Sequence, residues 1–530
     1  MASPVAVSTP PARDTTRWQV LVGAIIVQLV LGTVYGYSIF WTPLQSHVFP
    51  PVLTSAEWEA RGGGAPAADG LTPGGEIVVA DEPAAQRLRA VQQGNLKYAF
   101  AICILSFALV MVVAGRVQDL LGPRIPALIG AALMGTGFLL AGLMSHPIVF
   151  FIAHAAFAGL VAILLLMLLH AIFRRGLLDD AELRSYASQG VVAAVIVAAV
   201  LLGQQYVGRS GAIDRLLLLW GTIGFLAGAG IGFAYVCPIA ALIKWFPAHK
   251  GLVSGLAVAG FGFGAYVFKD RTIGALGYIE SRGVQPFFLV HAAICFVAIT
   301  LGALLLRNPP GTPAAATAPG QSAWQETLRR PAFYVLWLMF FSGALAGLMV
   351  IGIVAVFAGE QLVGAQGATG EAAAALMKKG ANAVGVLAIF NAIGRIAWGF
   401  VSDRIGRTNA LAAMFALQSV TLLTLASLTT ELSLTLAAAA IGFNFGGNFA
   451  LFPSLTADLF GARNLGANYG WVFTSYGIAG VVGITAGNSA KVLTGSYLAA
   501  FLLAAGLCAI STVLAVGLRW AQKRNAAPVA

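Results

Sequence analysis

Gly115-Arg116-Val117-Gln118-Asp119-Leu120-Leu121-Gly122-Pro123-Arg124 and Gly399-Phe400-Val401-Ser402-Asp403-Arg404-Ile405-Gly406-Arg407 are two copies of one pattern, G-x-x-x-D-x-x-G with an arginine just beyond. The first copy follows the second long apolar run of the chain, and the second follows the second apolar run after a polar linker at 307–331. Each residue type has a physical use. Glycine lets two helices approach closely, aspartate accepts hydrogen bonds from the free amides of a helix start, and arginine anchors a turn at an anionic membrane face. One copy would be an ordinary tight turn; two copies at matching places predict a scaffold built from two parallel repeats, as in many transporters. Gly115, Asp119, Arg124, Gly399, Asp403 and Arg407 are therefore candidate gating residues, latches made in one conformation and broken in the other.

The rest of the chain fits a membrane scaffold. It has 530 residues, 59% of them hydrophobic and only 10% charged, the composition of a polytopic, all-α membrane protein. The net charge of +11 is scattered through short connections instead of gathered on one face or tail, so it reads as a topology signal and not as a nucleic-acid surface. Its bias puts both termini, 1–17 and 519–530, on the cytoplasmic side of a multi-pass cell-membrane protein, in the inner membrane if the source is bacterial. Cys103, Cys237, Cys295 and Cys508 all fall in apolar runs without metal-ligand spacing; no disulfide framework, metal or cofactor is expected. The first run, Trp18 to Leu44, is too long for a signal-peptide core and reads as the first spanning helix.

Apolar runs at 18–44, 96–115, 125–144, 147–173, 188–207, 216–243, 251–268, 286–306, 332–358, 381–401, 408–428, 433–457, 466–487 and 497–518 predict about fourteen spans. They divide into halves at 18–306 and 332–518. A loop at 45–95, rich in glycine, proline and mixed charge, is expected outside the membrane with little fixed structure. Phe246-Pro247-Ala248-His249-Lys250 echoes Phe460-Gly461-Ala462-Arg463-Asn464. Counting back from that echo leaves two six-helix repeats plus one extra helix pair, 147–207, inserted in the first half.

Arg395 lies in the otherwise apolar run Ala381 to Val401, about 12 Å along a helix from Asp403. A cation at that depth is expensive, and its simplest use is to hold an anion on a path across the membrane. Guanidinium presents a planar fork of donors that matches a carboxylate. The competing reading is an arginine that snorkels to the interface or braces the Asp403 turn. Asn391 is four residues earlier on the same helical face, placed to orient Arg395 or its ligand.

Gly32-Thr-Val-Tyr35-Gly-Tyr-Ser-Ile-Phe40, Tyr235-Val-Cys-Pro238, Lys244-Trp-Phe-Pro247, Ala257-Val-Ala-Gly-Phe-Gly-Phe-Gly264, Asn391-Ala-Ile-Gly-Arg395, Gly446-Gly-Asn-Phe-Ala-Leu-Phe-Pro453 and Asn468-Tyr-Gly470 carry a resemblance. The chain resembles the major facilitator superfamily and, within it, the oxalate/formate antiporter family, relatives of the monocarboxylate transporters. The resemblance covers both repeats, without the loop and the extra pair. It implies a small carboxylate substrate and alternating access by rocking of two halves; the expected partners are that substrate and membrane lipid, with the protein working as a monomer. It also implies that Tyr35, Tyr235, Tyr266 and Tyr476 lie in cavity-lining spans and could complete a cage around Arg395 and Asn391.

Two departures matter. Animal monocarboxylate transporters usually carry Asp where this chain has Asn391, so their proton mechanism does not transfer directly. Oxalate-specific members carry a second cation in the helix matching Asn468 to Ala486, where this chain has no Lys or Arg and Tyr476 takes that place. One arginine balances one carboxylate, which favours a monocarboxylate over oxalate.

Coupling is left as anion exchange or proton symport. His291, and His154 and His170 in the extra pair, could titrate, although a lone histidine in a helix is more often packed. Gln28, Asn444 and Asn448 read as interhelical glue or cage. No HExxH, GxSxG or paired His/Asp constellation points to an enzyme. Two alternatives remain at this stage: a carboxylate sensor on a transporter scaffold, and a fourteen-helix drug/proton antiporter. The second would place its extra pair between the halves and a Gly-Pro motif in the fifth helix, whereas Ala257 to Gly264 has no proline.

Overall fold

A computed structural model describes residues 15–64, 70–146, 149, 212–269, 272, 274–310 and 321–526. Among these, twelve helices are long and apolar enough to cross a membrane. They are α1 (Thr16–Val48), α2 (Glu82–Leu121), α3 (Arg124–Gly142), α4 (Asp214–Trp245), α5 (Pro247–Phe268) and α6 (Val284–Leu305), then α7 (Pro331–Gln366), α8 (Gly370–Ile405), α9 (Arg407–Leu425), α10 (Glu431–Phe460), α11 (Leu465–Thr494) and α12 (Leu498–Arg524). Each coincides with one of the apolar runs read from the sequence. The expected extra pair at 147–207 lies, apart from Val149, outside the described residues, as do His154 and His170.

Packing repeats with a period of six helices. In the first set α1 lies on α5, α2 on α4 and α3 on α6; in the second α7 lies on α11, α8 on α10 and α9 on α12. The sets meet along two seams, α2 against α11 and α5 against α8. Both seams are lined with glycine because there is no room for more. A Cβ at Gly115 would meet the carbonyl of Gly466, one at Gly399 the carbonyl of Gly251, and one at Gly255 the carbonyl of Arg395. Without a hydrophobic force between helices in lipid, such close backbone contact is what holds the seams.

The two sets differ in regularity. α1 is α-helical to Leu31, tightens into a 3-10 segment over Gly32–Phe40 and resumes at Trp41. π-helical turns interrupt α4 at Trp220–Leu226 and α6 at Cys295–Ile299. Helices α7, α10 and α11 run as α-helix throughout. A 3-10 stretch in mid-helix strains the hydrogen-bond ladder and often marks a hinge; here it carries Tyr35.

The loop expected to hold little fixed structure is in fact built. Val52–Thr54 pairs in parallel with Ile77–Val79, and a helix at Ser55–Ala60 starts on a reciprocal cap in which Thr54 and Glu57 each bond the other's backbone amide. Asp81 caps α2, whose first turn contains Pro83, so α2 begins well before the apolar run. These are local start signals, and they outweigh the low hydrophobicity of the segment. The linker is likewise structured at its end, where Trp324–Arg329 forms a short helix.

Candidate functional site

Arg395 is fully buried, at 0% exposure, where α8 crosses α5 and α10. Its Nε donates to Asn391 Oδ1 at 3.2 Å, one helical turn back, and its Nη1 donates across the seam to the Val258 carbonyl at 2.7 Å. The guanidinium lies 4.4 Å from the Phe449 ring centre and 5.5 Å from that of Phe261. Its Nη2 has no hydrogen-bond partner. No Asp or Glu among the described residues forms an ion pair with it. This geometry removes the snorkelling and turn-bracing readings: the side chain points into the interface between the two sets, not toward Asp403. A buried cation with an idle donor and no counter-charge is costly, and an anion supplies both missing terms.

The hydroxyls around it are arranged in two pairs. Tyr35 on α1 and Tyr476 on α11 share a hydrogen bond of 2.8 Å that joins the two sets, and Arg395 stands beside Tyr35. Tyr235 on α4 and Tyr469 on α11 are neighbours, both fully buried, and their hydroxyls approach each other without forming a well-aligned hydrogen bond. Phe473 sits between the pairs, with ring centres 4.8 Å from Tyr476, 5.3 Å from Tyr235 and 5.6 Å from Tyr469. Phe107, Phe261 and Phe449 close the box around them. The result is one cation and a few hydroxyls inside apolar walls.

Tyr266 does not join this cluster. It is 48% exposed and stacks on Phe263, itself 50% exposed. Leu252, Leu256, Ala259, Phe263 and Tyr266 form the outward stripe of α5, because the faces bearing Gly251, Gly255 and Gly262, and Gly260 and Gly264, are taken by α8 and α1. Tyr469, and not Tyr266, stands in the cluster. Its signal was in the sequence: Tyr469, Phe473 and Tyr476 follow at i, i+4 and i+7, which is one helix face.

The remaining polar residues divide. Gln28 Nε2 donates to the Tyr235 carbonyl at 2.9 Å and leaves its Oε1 unpartnered. Asn444 accepts from Trp398 Nε1 at 3.3 Å and so ties α8 to α10, whereas Asn448 bonds back to carbonyls of its own helix. His291 is packed among Phe138, Phe268 and Phe287, with Nε2 at 3.2 Å from Thr33 Oγ1.

The repeated turns close one end of the seams. Asp119 accepts from the amides of Gly466 and Ala467 at 3.0 and 2.8 Å, and Asp403 from those of Gly251 and Leu252 at 3.1 and 2.8 Å. Each carboxylate thus sits on the positive N-terminus of a helix belonging to the other set. The arginines are not equivalent. Arg407 bonds Asp403 and Ser402 and faces Asp458, while Arg124 Nε donates to the Leu306 carbonyl at 2.8 Å, inside its own set. Pro123 explains the difference, since it places Arg124 five residues from its aspartate where Arg407 is four.

Twofold-repeated packing, seams closed by paired aspartates and a buried arginine between them make a specific combination. The Major Facilitator Superfamily profile matches residues 184–484 and again 373–530. The chain belongs to the major facilitator superfamily. Its relatives in the superfamily include the uncharacterized MFS-type transporter YhjX of Escherichia coli, 25% identical over 89% of this chain and 88% of that protein. The oxalate:formate antiporter of Oxalobacter formigenes is 32% identical over 60% of this chain and 72% of its own. Monocarboxylate transporter 12-B of Danio rerio is 24% identical over 56% and 66%. Among solved structures, the superfamily transporter FucP in its outward conformation matches with a TM-score of 0.54 at 14% identity, covering 93% of this chain and 97% of that one. The chain is thus a multi-pass membrane transporter of the superfamily, related to the oxalate/formate antiporter and to monocarboxylate carriers.

Proposed function

We propose that this transporter moves a small monocarboxylate across the membrane by alternating access, with Arg395 as the carboxylate clamp. The observation that carries the reading is the unpartnered Nη2 of a fully buried arginine that has no carboxylate partner among the described residues. A carboxylate arriving there accepts from Nη2 and from nearby tyrosine hydroxyls, and neutralises the site. Its other end meets the rings of Phe473, Phe261 and Phe449, which suit hydrogen, methyl or another small apolar group and offer nothing to a second charge. Tyr476, where a second cation would be needed for oxalate, is already bonded to Tyr35. The relatives' names, oxalate:formate antiporter and monocarboxylate transporter, agree with the substrate class.

Exchange is the mode this site favours. Loaded, the clamp is enclosed between the two sets as a neutral pair while they reorient; empty, it is enclosed as a bare cation, which opposes reorientation. Asn391 leaves the arginine without a titratable partner on its own helix. Lys and Arg are commoner in the connections on the side of Asp119 and Asp403, which makes that end cytoplasmic and puts loop 49–81 outside.

Competition in proteoliposomes tests the substrate class. Formate, lactate or pyruvate should each displace a labelled monocarboxylate at concentrations at least tenfold below those needed for oxalate, since an unpaired second carboxylate would be desolvated without a partner. Oxalate outcompeting every monocarboxylate would overturn the reading.

A further inference from the structure

We propose that Gln321–Arg329 is a clamp on the start of α11, with Asn468 and Thr327 as positioning residues that aim the Gly466 and Ala467 amides at Asp119. The segment enters where the linker meets the second set. The Ser322 amide donates to the Phe460 carbonyl at 2.9 Å, capping the end of α10, and the Arg463 amide donates to Gln321 Oε1 at 2.9 Å. The Ser322 carbonyl accepts from both Asn464 Nδ2, at 3.1 Å, and Asn468 Nδ2, at 3.0 Å. Asn468 is fully buried and its other amide atom, Oδ1, accepts from Thr327 Oγ1 at 3.0 Å. Trp324 stacks on Trp471 with ring centres 5.9 Å apart.

These contacts act on one face of the first turn of α11. The opposite face gives its amides to Asp119 and touches Gly115 backbone to backbone. Free amides at a helix start fray unless something holds the turn, and a frayed turn cannot present two N–H groups to one carboxylate. The clamp therefore does for the Asp119 contact what ion pairs do for its counterpart. At the start of α5, Lys250 reaches Asp458 at 2.7 Å and Arg407 faces the same carboxylate, whereas on the α11 side the linker contributes neutral hydrogen bonds. Asn468 belongs to the Asn468-Tyr-Gly470 motif, and carboxylate binding gives it no task. Its task is to fix, through the linker, how often this end of the transporter opens.

This inference rests on alternating access, not on the identity of the substrate, and its test needs no substrate. The reporter is Ser254→Cys in the full chain reconstituted in liposomes. Ser254 is fully buried on α5 beyond the Asp403 contact, and its Oγ has no partner. A membrane-impermeant maleimide is applied to the Asp119 side, with the protein lacking Ser254→Cys as the blank. Thr327→Val should raise the labelling rate about fivefold, the worth of one buried hydrogen bond, and Thr327→Ser should return it to the parent value. Gln321→Ala, at the partly exposed edge of the clamp, should raise it by a smaller factor. On an Asp119→Asn background, Thr327→Val should add little, because the contact it supports is already weakened. Equal rates in Thr327→Val and parent would overturn the proposal, as would a full fivefold rise on the Asp119→Asn background.

Discussion

Arg395→Ala should abolish ligand-induced stabilisation while leaving the ligand-free protein at least as stable as the parent. Most buried arginines behave the other way, because removing them strands a partner carboxylate. Here no Asp or Glu among the described residues pairs with Arg395. The substitution removes a desolvated charge at the expense of two hydrogen bonds, to Asn391 and Val258. For the ligand the loss is large. Leaving a carboxylate unpaired in a buried site costs roughly 3–5 kcal/mol, or about 10²–10⁴ in affinity. Lysine should recover only part of it, since a single ammonium on a flexible stem cannot bond Val258, Asn391 and a carboxylate in the fixed geometry of the fork. Thermal unfolding of the detergent-purified protein across a monocarboxylate titration reads both quantities. A large fall in ligand-free stability for Arg395→Ala would mean that the arginine is structural.

The second large effect belongs to the aspartates. Asp119→Asn and Asp403→Asn each keep the side chain's shape but replace one acceptor oxygen by a donor that faces a backbone N–H. Each carboxylate now takes two charge-assisted bonds from a helix start in the other set, and such bonds contribute about 1.5–3 kcal/mol apiece. The closed form of that end should lose roughly 2 kcal/mol or more, and exchange should slow about tenfold or more as the carrier lingers open. Affinity should change little, because neither aspartate touches the Arg395 cluster. Initial rates and half-saturating concentrations in proteoliposomes separate the two. Binding abolished in a folded Asp403→Asn protein would contradict the latch role.

What the sequence made legible follows from what membranes make expensive. Long uncharged runs located all twelve described spans, and the paired glycine–aspartate turns revealed the repeat. Arg395 stood out because a charge at that depth has to be justified. What stayed hidden was rotation and partnership. α5 is apolar nearly all round, so hydropathy alone does not say that Tyr266 faces outward; the glycine positions do, but only once their neighbours are known to be α8 and α1. The motif containing Asp119 is local, whereas its amide partners at Gly466 and Ala467 lie in the other half of the chain. The loop after α1 reads as unstructured because its hydrophobicity is low, although the Thr54/Glu57 and Asp81/Pro83 start signals lie in it.

The central claim is that Arg395 holds the transported carboxylate. Its most direct test is uptake of a labelled monocarboxylate into proteoliposomes by the parent protein and by Arg395→Ala, each loaded inside with the same unlabelled anion or with none. The account predicts uptake by the parent that depends on the internal anion and ignores an imposed pH gradient, and no uptake above protein-free liposomes for Arg395→Ala. An Arg395→Ala protein that transports at the parent rate would contradict it.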